Sequence, residues 1–365
     1  MSRSVKAIVL GDAMIPGTEF EGAAHKYLER YLSHLAAGDW EASWDRLQTR
    51  RLEVEKKGPD IESVPQLIVD QGAEAEMLMG LFVPISSKVI DAMPKLRIAG
   101  VSRAGIENVN LAAATSRGVL VFNVEGRNAE AVSDFAVGMM IAECRNIARA
   151  HFAIKSGAWR KEFSNSEWVP QLNEKTVGIV GFGYIGRLVA KKLSGFGVKV
   201  LVHDPFVDEA AVREHGARSV DRISLFRESD FVTIHARLSE QTKQMVGKAE
   251  LAVMKPTAYL VNTARAGLVD QEALLATLRA KKIAGAALDV FESEPLGAES
   301  EFLKLDNVTL TTHIAGTTRE ALSGSPGLLM DDIRKLLAGE KPRFVKNPEV
   351  LAKSEFSAWL EEVRG

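Results

Sequence analysis

Cysteine is almost absent from this chain of 365 residues, which contains one, Cys144. A single thiol cannot form a disulfide within the chain or a cluster of thiolate metal ligands, so we expect a protein of a reducing compartment without a metal site. Cys144 ends an apolar stretch and has no histidine beside it. We therefore interpret it as a buried core thiol rather than a nucleophile.

Long apolar runs are also missing. No window of about eighteen apolar residues occurs, which is the minimum for a membrane-spanning helix. The first residues, MSRSVKAIVLGDAM, have too short an apolar core for a signal peptide. We therefore expect a cytoplasmic protein that has no membrane partner.

The sequence also has no excess of one charge, because it contains 46 Lys and Arg residues and 48 Asp and Glu residues, which gives a net charge of −2. No long run of one sign occurs, so the basic footprint of a nucleic-acid-binding protein is excluded. The hydrophobic fraction of 46% and charged fraction of 26% are those of a folded globular chain. The length indicates about two domains.

Short apolar runs alternate with helical stretches along most of the chain. This alternation predicts the α/β class, in which helices cover parallel sheets. In the first third we predict a small doubly wound unit with strands at 7–10, 77–83, 96–99 and 119–122. A long helix at 128–150 and a polar connector or arm at 156–171 follow it.

A second series of strands begins at Thr176. We predict its strands at 176–180, 198–203, 231–235, 258–262, 285–288 and 308–311. Six strands with helices between them match a complete dinucleotide-binding fold. A final helical pattern at 319–337 follows the sixth strand, and we expect it to return to the first unit.

These patterns predict two doubly wound domains with parallel sheets. A smaller, flavodoxin-like domain would comprise residues 1–122 and 318–365, and a dinucleotide-binding Rossmann domain residues 123–317. Residues 38–64 are unusually polar for a compact domain, and we interpret them as an inserted helix and loop. Trp40 and Trp44 would share one face of that helix, for packing or a subunit contact.

The sharpest local motif is a glycine-rich turn, Gly181-Phe182-Gly183-Tyr184-Ile185-Gly186, between the strand TVGIV and the helical run RLVAKKL. A G-x-G-x-x-G motif alone is weak, but this context is that of a dinucleotide site. Gly181 allows the tight turn, Gly183 lets the backbone approach a pyrophosphate, and Gly186 lets the helix pack on the strand. The amides at the helix start, at Tyr184 and Ile185, would bind the phosphates.

Asp204 stands 18 residues after Gly186, at the end of the next predicted strand. A carboxylate in this position accepts hydrogen bonds from the adenine ribose hydroxyls and repels a 2′-phosphate. The sequence therefore predicts NAD as the cofactor.

Three further segments place polar residues at predicted strand ends: VNTARAGLVD with Arg265, ALDVFESEPL with Asp289 and Glu294, and TTHIAG with His313. With these motifs the sequence resembles the D-isomer-specific 2-hydroxyacid dehydrogenases, from about Leu81 to Gly316. Before Leu81 the resemblance is only architectural. It implies an enzyme, an NAD-dependent oxidoreductase that acts on the CH–OH group of its donor.

The resemblance implies that Arg265, Glu294 and His313 form the catalytic set. Oxidation of a 2-hydroxy acid needs a base for the hydroxyl proton, and a neutral imidazole has a suitable pKa. Glu294 would bond the other ring nitrogen of His313. Arg265 would hold the substrate carboxylate with its planar guanidinium.

Other positions of the sequence match the family as well. The resemblance assigns Asp289, His235, Thr263, Ala264 and Gly316 to the cofactor site, with Asp289 on the nicotinamide carboxamide. The stretch around Ser102, Arg103, Ala104 and Gly105 resembles the loop whose backbone amides receive the substrate carboxylate. The motif NVEGRNAEAVSDF resembles the start of the helix that builds the family's dimer, so we expect a homodimer.

One departure bears on the substrate. Phosphoglycerate dehydrogenases commonly carry Arg in a V-R-S stretch, whereas this chain has Pro84 between Val83 and Ile85. Arg103 and Arg127 could supply a charge from another direction. We expect a small 2-hydroxy or 2-keto acid of the glyoxylate, hydroxypyruvate (glycerate) or short sugar-acid type, with 3-phosphoglycerate a poor substrate.

Two other departures are smaller. Arg237 replaces a Pro that the family often carries after its strand-end His, and Ala266 replaces a common Gly.

Alternative functions stay open at this point. A non-catalytic protein of the same fold that senses NAD is the main one, and phosphoglycerate and phosphite dehydrogenases share the same catalytic residue types. Formate dehydrogenase is disfavoured, because that relative pairs its His with Gln and this chain has Glu294.

Overall fold

The computed structural model describes residues 3–365. These residues form two compact units. The first comprises the described residues up to Arg127 together with Thr318–Gly365, and the second comprises Asn128–Thr317. Each unit is built on its own parallel sheet.

The first sheet contains β1 (Val5–Asp12), β2 (Leu32–Glu41), β3 (Met77–Gly80), β4 (Ile98–Val101) and β5 (Leu120–Phe122). Its strand order is β2-β1-β3-β4-β5, and all neighbours are parallel. The helices of this unit are α1 (Gly17–Leu28), α2 (Trp44–Lys57), α3 (Gln66–Gln71), α4 (Ser87–Ala92) and α5 (Leu111–Ser116). The predicted doubly wound unit is confirmed.

The second sheet contains β6 (Thr176–Val180), β7 (Lys199–His203), β8 (Arg218–Ser219), β9 (Phe231–Ile234), β10 (Tyr259–Asn262), β11 (Gly285–Leu288) and β12 (Val308–Leu310). Its order is β12-β11-β10-β9-β6-β7-β8, again parallel throughout. The first strand of this sheet, β6, lies inside it. Strands β7 and β8 follow on one side of β6 and strands β9 to β12 on the other, as in a Rossmann fold. All six predicted strands are present, with the two-residue β8 added at the edge.

The helices of the second unit are α6 (Ala129–Cys144), α7 (Ile147–Lys155), α8 (Tyr184–Leu193), α9 (Glu209–Glu214), α10 (Arg222–Glu228), α11 (Lys248–Ala252) and α12 (Gln271–Arg279). The C-terminal helices α13 (Arg319–Ser323), α14 (Ser325–Leu337) and α15 (Ser354–Arg364) belong to the first unit. All four residues of β9 (FVTI) are buried. The inner strands do not alternate between apolar and polar residues, because helices cover both faces of the sheet.

The interpretation of residues 38–64 is wrong at their start. Gly38 to Glu41 end strand β2, which the sequence did not predict, and only α2 matches the expected inserted helix. Strand β2 pairs with β1 alone and is largely half-exposed, so it lacks the apolar run of an inner strand. Trp40 therefore lies on the strand and Trp44 begins α2, and they do not share a helix face.

Both long predicted helices are interrupted. The helix expected at 128–150 breaks between α6 and α7, where Asn146 takes a left-handed conformation with φ of 60°. The Asn146 amide donates to Asn165 Oδ1 at 2.8 Å and accepts from Arg149 Nε at 2.9 Å, which stabilises the break. Gly324 separates α13 from α14 within the second expected helix.

The C-terminal segment returns to the first unit, as predicted. Asn347, which is 1% exposed, is its main polar anchor. Its side chain accepts from Val121 N at 2.8 Å and donates to Thr115 Oγ1 and to Val119 O, each at 2.9 Å. Trp359 Nε1 adds a bond to Glu76 Oε1 at 2.9 Å.

Replacing Asn347 by Ala should destabilise the first unit by about 2–4 kcal/mol, because a buried N–H and a buried carbonyl lose their partners at about 1–3 kcal/mol each. Thermal unfolding of the full chain measures this as a lower midpoint. Ser354→Ala, on an exposed serine of the same segment, should leave the midpoint unchanged. Equal midpoints for Asn347→Ala and the native chain would contradict the proposed anchor.

Candidate active site

The residues predicted for the site in the second unit follow its strands. Because parallel strands end at the same edge of a sheet, the loops after β6, β7, β9, β10, β11 and β12 lie at one edge. These loops contain Gly181, Gly183, Asp204, His235, Thr263, Ala264, Arg265, Asp289, Glu294, His313 and Gly316. Tyr184, Ile185 and Gly186 begin α8 beside them.

The glycine-rich turn has the geometry that a dinucleotide requires. Gly181 has φ of 91°, and a Cβ there would lie 2.6 Å from Ala236 N. A Cβ on Gly186 would lie 2.2 Å from the Gly181 carbonyl oxygen, so the helix packs tightly on the turn. Gly183 differs, because nothing lies within 4 Å of its Cβ position. The turn therefore leaves open space at its middle glycine.

Helix α8 begins directly after Gly183 and runs for ten residues. The first N–H groups of a helix lack acceptors within the helix, and its dipole favours an anion there. Open space over these amides fits the pyrophosphate of a dinucleotide.

Asp204 lies at the end of β7, beside the glycine turn. Its Oδ2 accepts from Phe182 N at 2.7 Å and its Oδ1 accepts from Phe206 N at 2.9 Å. Each carboxylate oxygen has a second lone pair, so both can also accept from a ribose hydroxyl. The position fits the ribose of NAD.

Two buried polar atoms near the middle of the sheet have no partner among the described residues. They are His235 Nδ1, after β9, and Thr263 Oγ1, after β10. His235 Nε2 is bonded to Thr233 Oγ1 at 2.9 Å, and burial lowers the pKa of His235 to about 3, so the ring is neutral. Unpartnered buried polar atoms at a strand edge are typical of a ligand site.

Asn262, the last residue of β10, shapes the loop that carries Arg265. It accepts from Ala264 N and donates to the Arg265 carbonyl, each at 3.0 Å. The Arg265 side chain is exposed and donates only to the Ala264 carbonyl among the described residues, at 2.8 Å. Its remaining N–H groups are available to a ligand.

His313 and Glu294 form a hydrogen-bonded pair. His313 Nδ1 lies 2.7 Å from Glu294 Oε2, and Glu294 Oε1 accepts from Phe291 N at 2.9 Å. The two side chains are 46% and 36% exposed, so a ligand can reach them. The pair fixes Nδ1 of the ring as a donor to the carboxylate, which leaves Nε2 for another partner.

Asp289 holds the loop that carries His313. This carboxylate is fully buried, and it accepts from Thr311 Oγ1 at 2.6 Å, Ile314 N at 3.0 Å and Ala315 N at 2.9 Å. These three donors flank His313, whose φ of 56° is unusual for a residue with a side chain. Asp289 therefore maintains the loop conformation that presents the imidazole.

Gly316 closes the same loop against the start of α6. A Cβ at Gly316 would lie 2.3 Å from Asn128 Nδ2, so this close approach requires a glycine.

In the first unit, the loop after β4 contains the predicted substrate-binding residues. Ser102 Oγ is buried and has no partner in the part of the chain that is described. The backbone N–H groups of Arg103, Ala104 and Gly105 likewise donate to no acceptor within residues 3–365. Such successive free amides fit a carboxylate.

Arg103 itself is neutralised. Its Nη2 lies 2.9 Å from Glu55 Oε1 and 3.1 Å from Glu107 Oε2, and its guanidinium carbon lies 4.6 Å from the centre of the Phe82 ring. Glu55 comes from α2, within the segment interpreted as an insert.

Two residues that shape these sites, Asn262 and Glu55, were not predicted from the sequence, and Asp289 was predicted as a contact of the nicotinamide carboxamide rather than as the anchor of the His313 loop. Asn262 accepts from the amide of Ala264, two residues further on, and an Asx-turn pattern after a strand is the signal that could have found this. The amides that Asp289 binds, those of Ile314 and Ala315, are 25 and 26 residues away in the chain. Glu55 has no such signal, because 48 residues separate it from Arg103.

Within residues 3–365, no group of three or more His, Cys, Asp or Glu side chains is arranged to hold a metal ion. Nor does any helix in that range have the length and apolarity to cross a membrane.

The fold and the residues at this edge of the sheet define a class of protein. A seven-stranded Rossmann sheet, a glycine-rich turn with open space before a helix, and an acidic residue after the next strand are the parts of an NAD-binding unit. The exposed His–Glu pair at the same edge is typical of an oxidoreductase that moves a proton together with a hydride.

Comparison with known proteins agrees with this class. The family model for the NAD-binding domain of D-isomer-specific 2-hydroxyacid dehydrogenases matches residues 137–315. Glyoxylate reductase of Thermococcus litoralis is 37% identical over 295 residues, which are 79% of this chain and 88% of that protein. D-3-phosphoglycerate dehydrogenase of Archaeoglobus fulgidus is 37% identical over 273 residues, 74% of this chain but 51% of that protein.

A solved structure shows the same fold. The NAD-complexed D-isomer-specific 2-hydroxyacid dehydrogenase of Lactobacillus delbrueckii ssp. bulgaricus matches with a TM-score of 0.73 at 22% identity, over 93% of this chain and 100% of that one. The chain belongs to the D-isomer-specific 2-hydroxyacid dehydrogenase family. It is an NAD-dependent oxidoreductase that acts on the CH–OH group of its donor.

Replacing Asp289 by Asn should lower kcat/KM by about tenfold or more, because an amide offers one acceptor where three donors converge and the His313 loop must move. Steady-state NADH oxidation measures this, and the thermal midpoint should fall as well. Glu292→Gln removes the same charge from an exposed position of the neighbouring loop and should change neither value. A normal kcat/KM in Asp289→Asn would show that the loop does not depend on this carboxylate.

Proposed function

We propose that this protein is a D-2-hydroxyacid dehydrogenase that also reduces the corresponding 2-keto acid, with a small acid of the glyoxylate, hydroxypyruvate (glycerate) or short sugar-acid type as substrate. One observation carries the proposal: the exposed His313–Glu294 pair, at 2.7 Å, on the edge of the sheet that carries the glycine turn. The relation to a glyoxylate reductase supports the small substrate.

His313 is the acid and base of this proposal. Its Nδ1 is engaged by Glu294, so Nε2 takes the proton of the C2 hydroxyl during oxidation and returns it during reduction. The Glu294 carboxylate stabilises the imidazolium that forms and holds the ring in one orientation. Bound NAD supplies the hydride acceptor for the C2 hydrogen, and NADH the donor for the reverse reaction.

Arg265 holds the substrate carboxylate and polarises the C2 oxygen. One N–H of its guanidinium donates to the Ala264 carbonyl, and the other N–H groups are available to the substrate. A planar guanidinium binds a carboxylate with two parallel hydrogen bonds. In the first unit, we assign Ser102 and the free amides of Arg103, Ala104 and Gly105 to substrate binding, because their donors have no partner within residues 3–365.

The cofactor contacts follow the same edge. Gly181, Gly183, Tyr184, Ile185 and Gly186 receive the pyrophosphate. Asp204 accepts from the adenine ribose and repels a 2′-phosphate. The remaining predicted contacts to the nicotinamide side are His235, Thr263, Ala264, Asp289 and Gly316.

We also propose that the protein forms a homodimer. Helix α7 and the connector after it expose large apolar side chains, with Phe152 at 73% and Trp159 at 80%. Apolar side chains exposed together on one segment are typical of a subunit interface. Helix α6, whose start matches the family's dimer motif, comes directly before α7 in the chain.

Replacing His313 by Ala should lower kcat by roughly 100-fold or more, the usual contribution of a positioned acid or base, while NADH still binds. Steady-state kinetics and a fluorescence titration of NADH measure the two properties. His25→Ala removes another His–Glu pair, on the surface of α1, and should leave both unchanged. Glu294→Gln should shift the pH profile of kcat, because the imidazolium loses its charged partner.

Near-native turnover in His313→Ala would remove His313 from the mechanism and favour a protein that only senses NAD.

The substrate class is tested by competing hydroxypyruvate against 3-phosphohydroxypyruvate in an assay that follows NADH oxidation. Glyoxylate is assayed as a separate substrate. We expect hydroxypyruvate to be preferred, because a phosphate needs a cation and Pro84 is buried and offers neither charge nor an N–H donor. Arg103 cannot replace that cation, since Glu55 and Glu107 already pair with it. A preference above about tenfold, or roughly 1.4 kcal/mol, for the phosphorylated acid would overturn this assignment.

A further inference from the structure

Arg237 is an exposed arginine at the carboxyl edge of the second sheet. It stands three residues after Ile234, the last residue of β9. Its side chain makes no hydrogen bond or ion pair with any residue from 3 to 365, and Glu240 in the same loop does not pair with it. All five N–H donors of the guanidinium are therefore available to a ligand.

The backbone around Arg237 is held in place. Thr242 Oγ1 donates to the Arg237 carbonyl at 2.6 Å and accepts from Ser239 N at 2.7 Å. The side chain of Leu238 packs on the loop after β10, because its Cδ2 lies 3.2 Å from the Cβ position of Gly267. Arg237 is therefore carried on a structured loop.

This loop contacts the glycine-rich turn after β6. A Cβ on Gly181 would lie 2.6 Å from Ala236 N and 2.7 Å from Ala236 Cα, so the residue before Arg237 touches the turn. Strand β9 pairs with one side of β6, and β7 pairs with the other side. The crevice where the strand order reverses in this way is the usual ligand site of an α/β sheet. Arg237 is thus attached beside the turn whose middle glycine, Gly183, has open space.

The charge at this turn favours an added cation. The start of helix α8 supplies only about half a positive charge, whereas each phosphate of a dinucleotide carries a full negative charge. The Asp204 carboxylate, which accepts from Phe182 N, adds another negative charge at the same turn. A guanidinium beside the turn offsets this excess.

Arg187 on α8 is the other arginine close to the turn, and it is already engaged. Its Nε donates to the Phe182 carbonyl at 3.0 Å, and its guanidinium carbon lies 5.8 Å from the centre of the Phe182 ring. That ring is buried and packs edge-on against His215, directly after α9. Arg237 differs from Arg187 because no contact within the described residues holds its guanidinium.

Water alone satisfies most surface arginines, so exposure does not by itself indicate a ligand. Arg237 combines its exposure with a structured loop, with a backbone contact to the glycine turn and with a place at the switch point of the sheet. A solvated arginine needs none of these three features.

We propose that Arg237 binds the pyrophosphate of the cofactor and completes the phosphate site that the glycine turn begins. This inference rests on the cofactor contacts of the proposed function and adds a residue to them. The planar guanidinium donates parallel N–H bonds to phosphate oxygens, and its charge offsets that of a phosphate. Arg237 is a binding residue for the cofactor and takes no part in the proton transfer.

The test measures binding rather than turnover. NADH is titrated by its fluorescence, and ADP-ribose and adenosine are titrated by displacement of NADH. ADP-ribose contains the pyrophosphate, and adenosine contains no phosphate. Arg237→Met should raise the Kd of NADH and of ADP-ribose by at least about fivefold and leave that of adenosine unchanged. Arg237→Lys should recover part of the loss, because it keeps the charge and loses the planar fork.

Arg213→Met is the matched control. That exposed arginine of the same unit pairs with Glu209 within α9, and its replacement should leave all three Kd values unchanged. The difference between the native protein and Arg237→Met should shrink at about 1 M salt, because salt screens a charge contact at the surface. The thermal midpoint of Arg237→Met should equal that of the native protein, since the side chain is exposed.

The outcomes separate this inference from the proposed function. A native protein that binds neither NADH nor ADP-ribose contradicts the proposed cofactor site itself. If the native protein binds both, only the role of Arg237 is overturned when Arg237→Met raises the Kd of ADP-ribose by less than about fivefold or raises that of adenosine equally. NADPH shares the pyrophosphate, so its Kd should rise by the same factor as that of NADH. A loss confined to NADPH would indicate a contact with the 2′-phosphate and overturn the pyrophosphate contact.

Discussion

Parallel pairing of buried strands is the constraint on which the site in the second unit depends. Strands β6, β7 and β9 to β12 all run in one direction, so every loop at their carboxyl ends lies on the same edge. Residues as far apart in the chain as Gly181 and His313 therefore belong to one edge of one sheet. The pairing requires apolar side chains on both faces, which confines polar chemistry to the strand ends.

Buried acceptors at those strand ends then set the conformation of each loop. Asn262 binds the amide and carbonyl of the loop that carries Arg265, and Asp289 collects three donors from the loop that carries His313. Because these anchors satisfy the backbone, the side chains of Arg265, Glu294 and His313 stay exposed for ligands. The catalytic proposal therefore rests on positioning groups that touch no substrate themselves.

The first unit uses its own carboxyl edge differently. Free amides and Ser102 follow β4. Of the two arginines near them, Arg103 is paired with carboxylates and Arg127 is not. The segment from α2 contributes Glu55, which turns Arg103 into a paired, packed residue. Arg127 donates to the Ala321 carbonyl and forms no ion pair with any residue from 3 to 365.

The sequence by itself determined the α/β class, ten of the strands, the glycine turn and the strand-end residues, because apolar runs and turn motifs are local signals. It did not show β2, because an edge strand paired on one side lacks a continuous apolar run. The helix break at Asn146 was also missed, because contacts with Asn165 and Arg149 stabilise it. Only the tertiary structure decided that Glu55 neutralises Arg103 and that Arg127 has no carboxylate partner within residues 3–365, since ion pairing depends on distances between residues far apart in the chain.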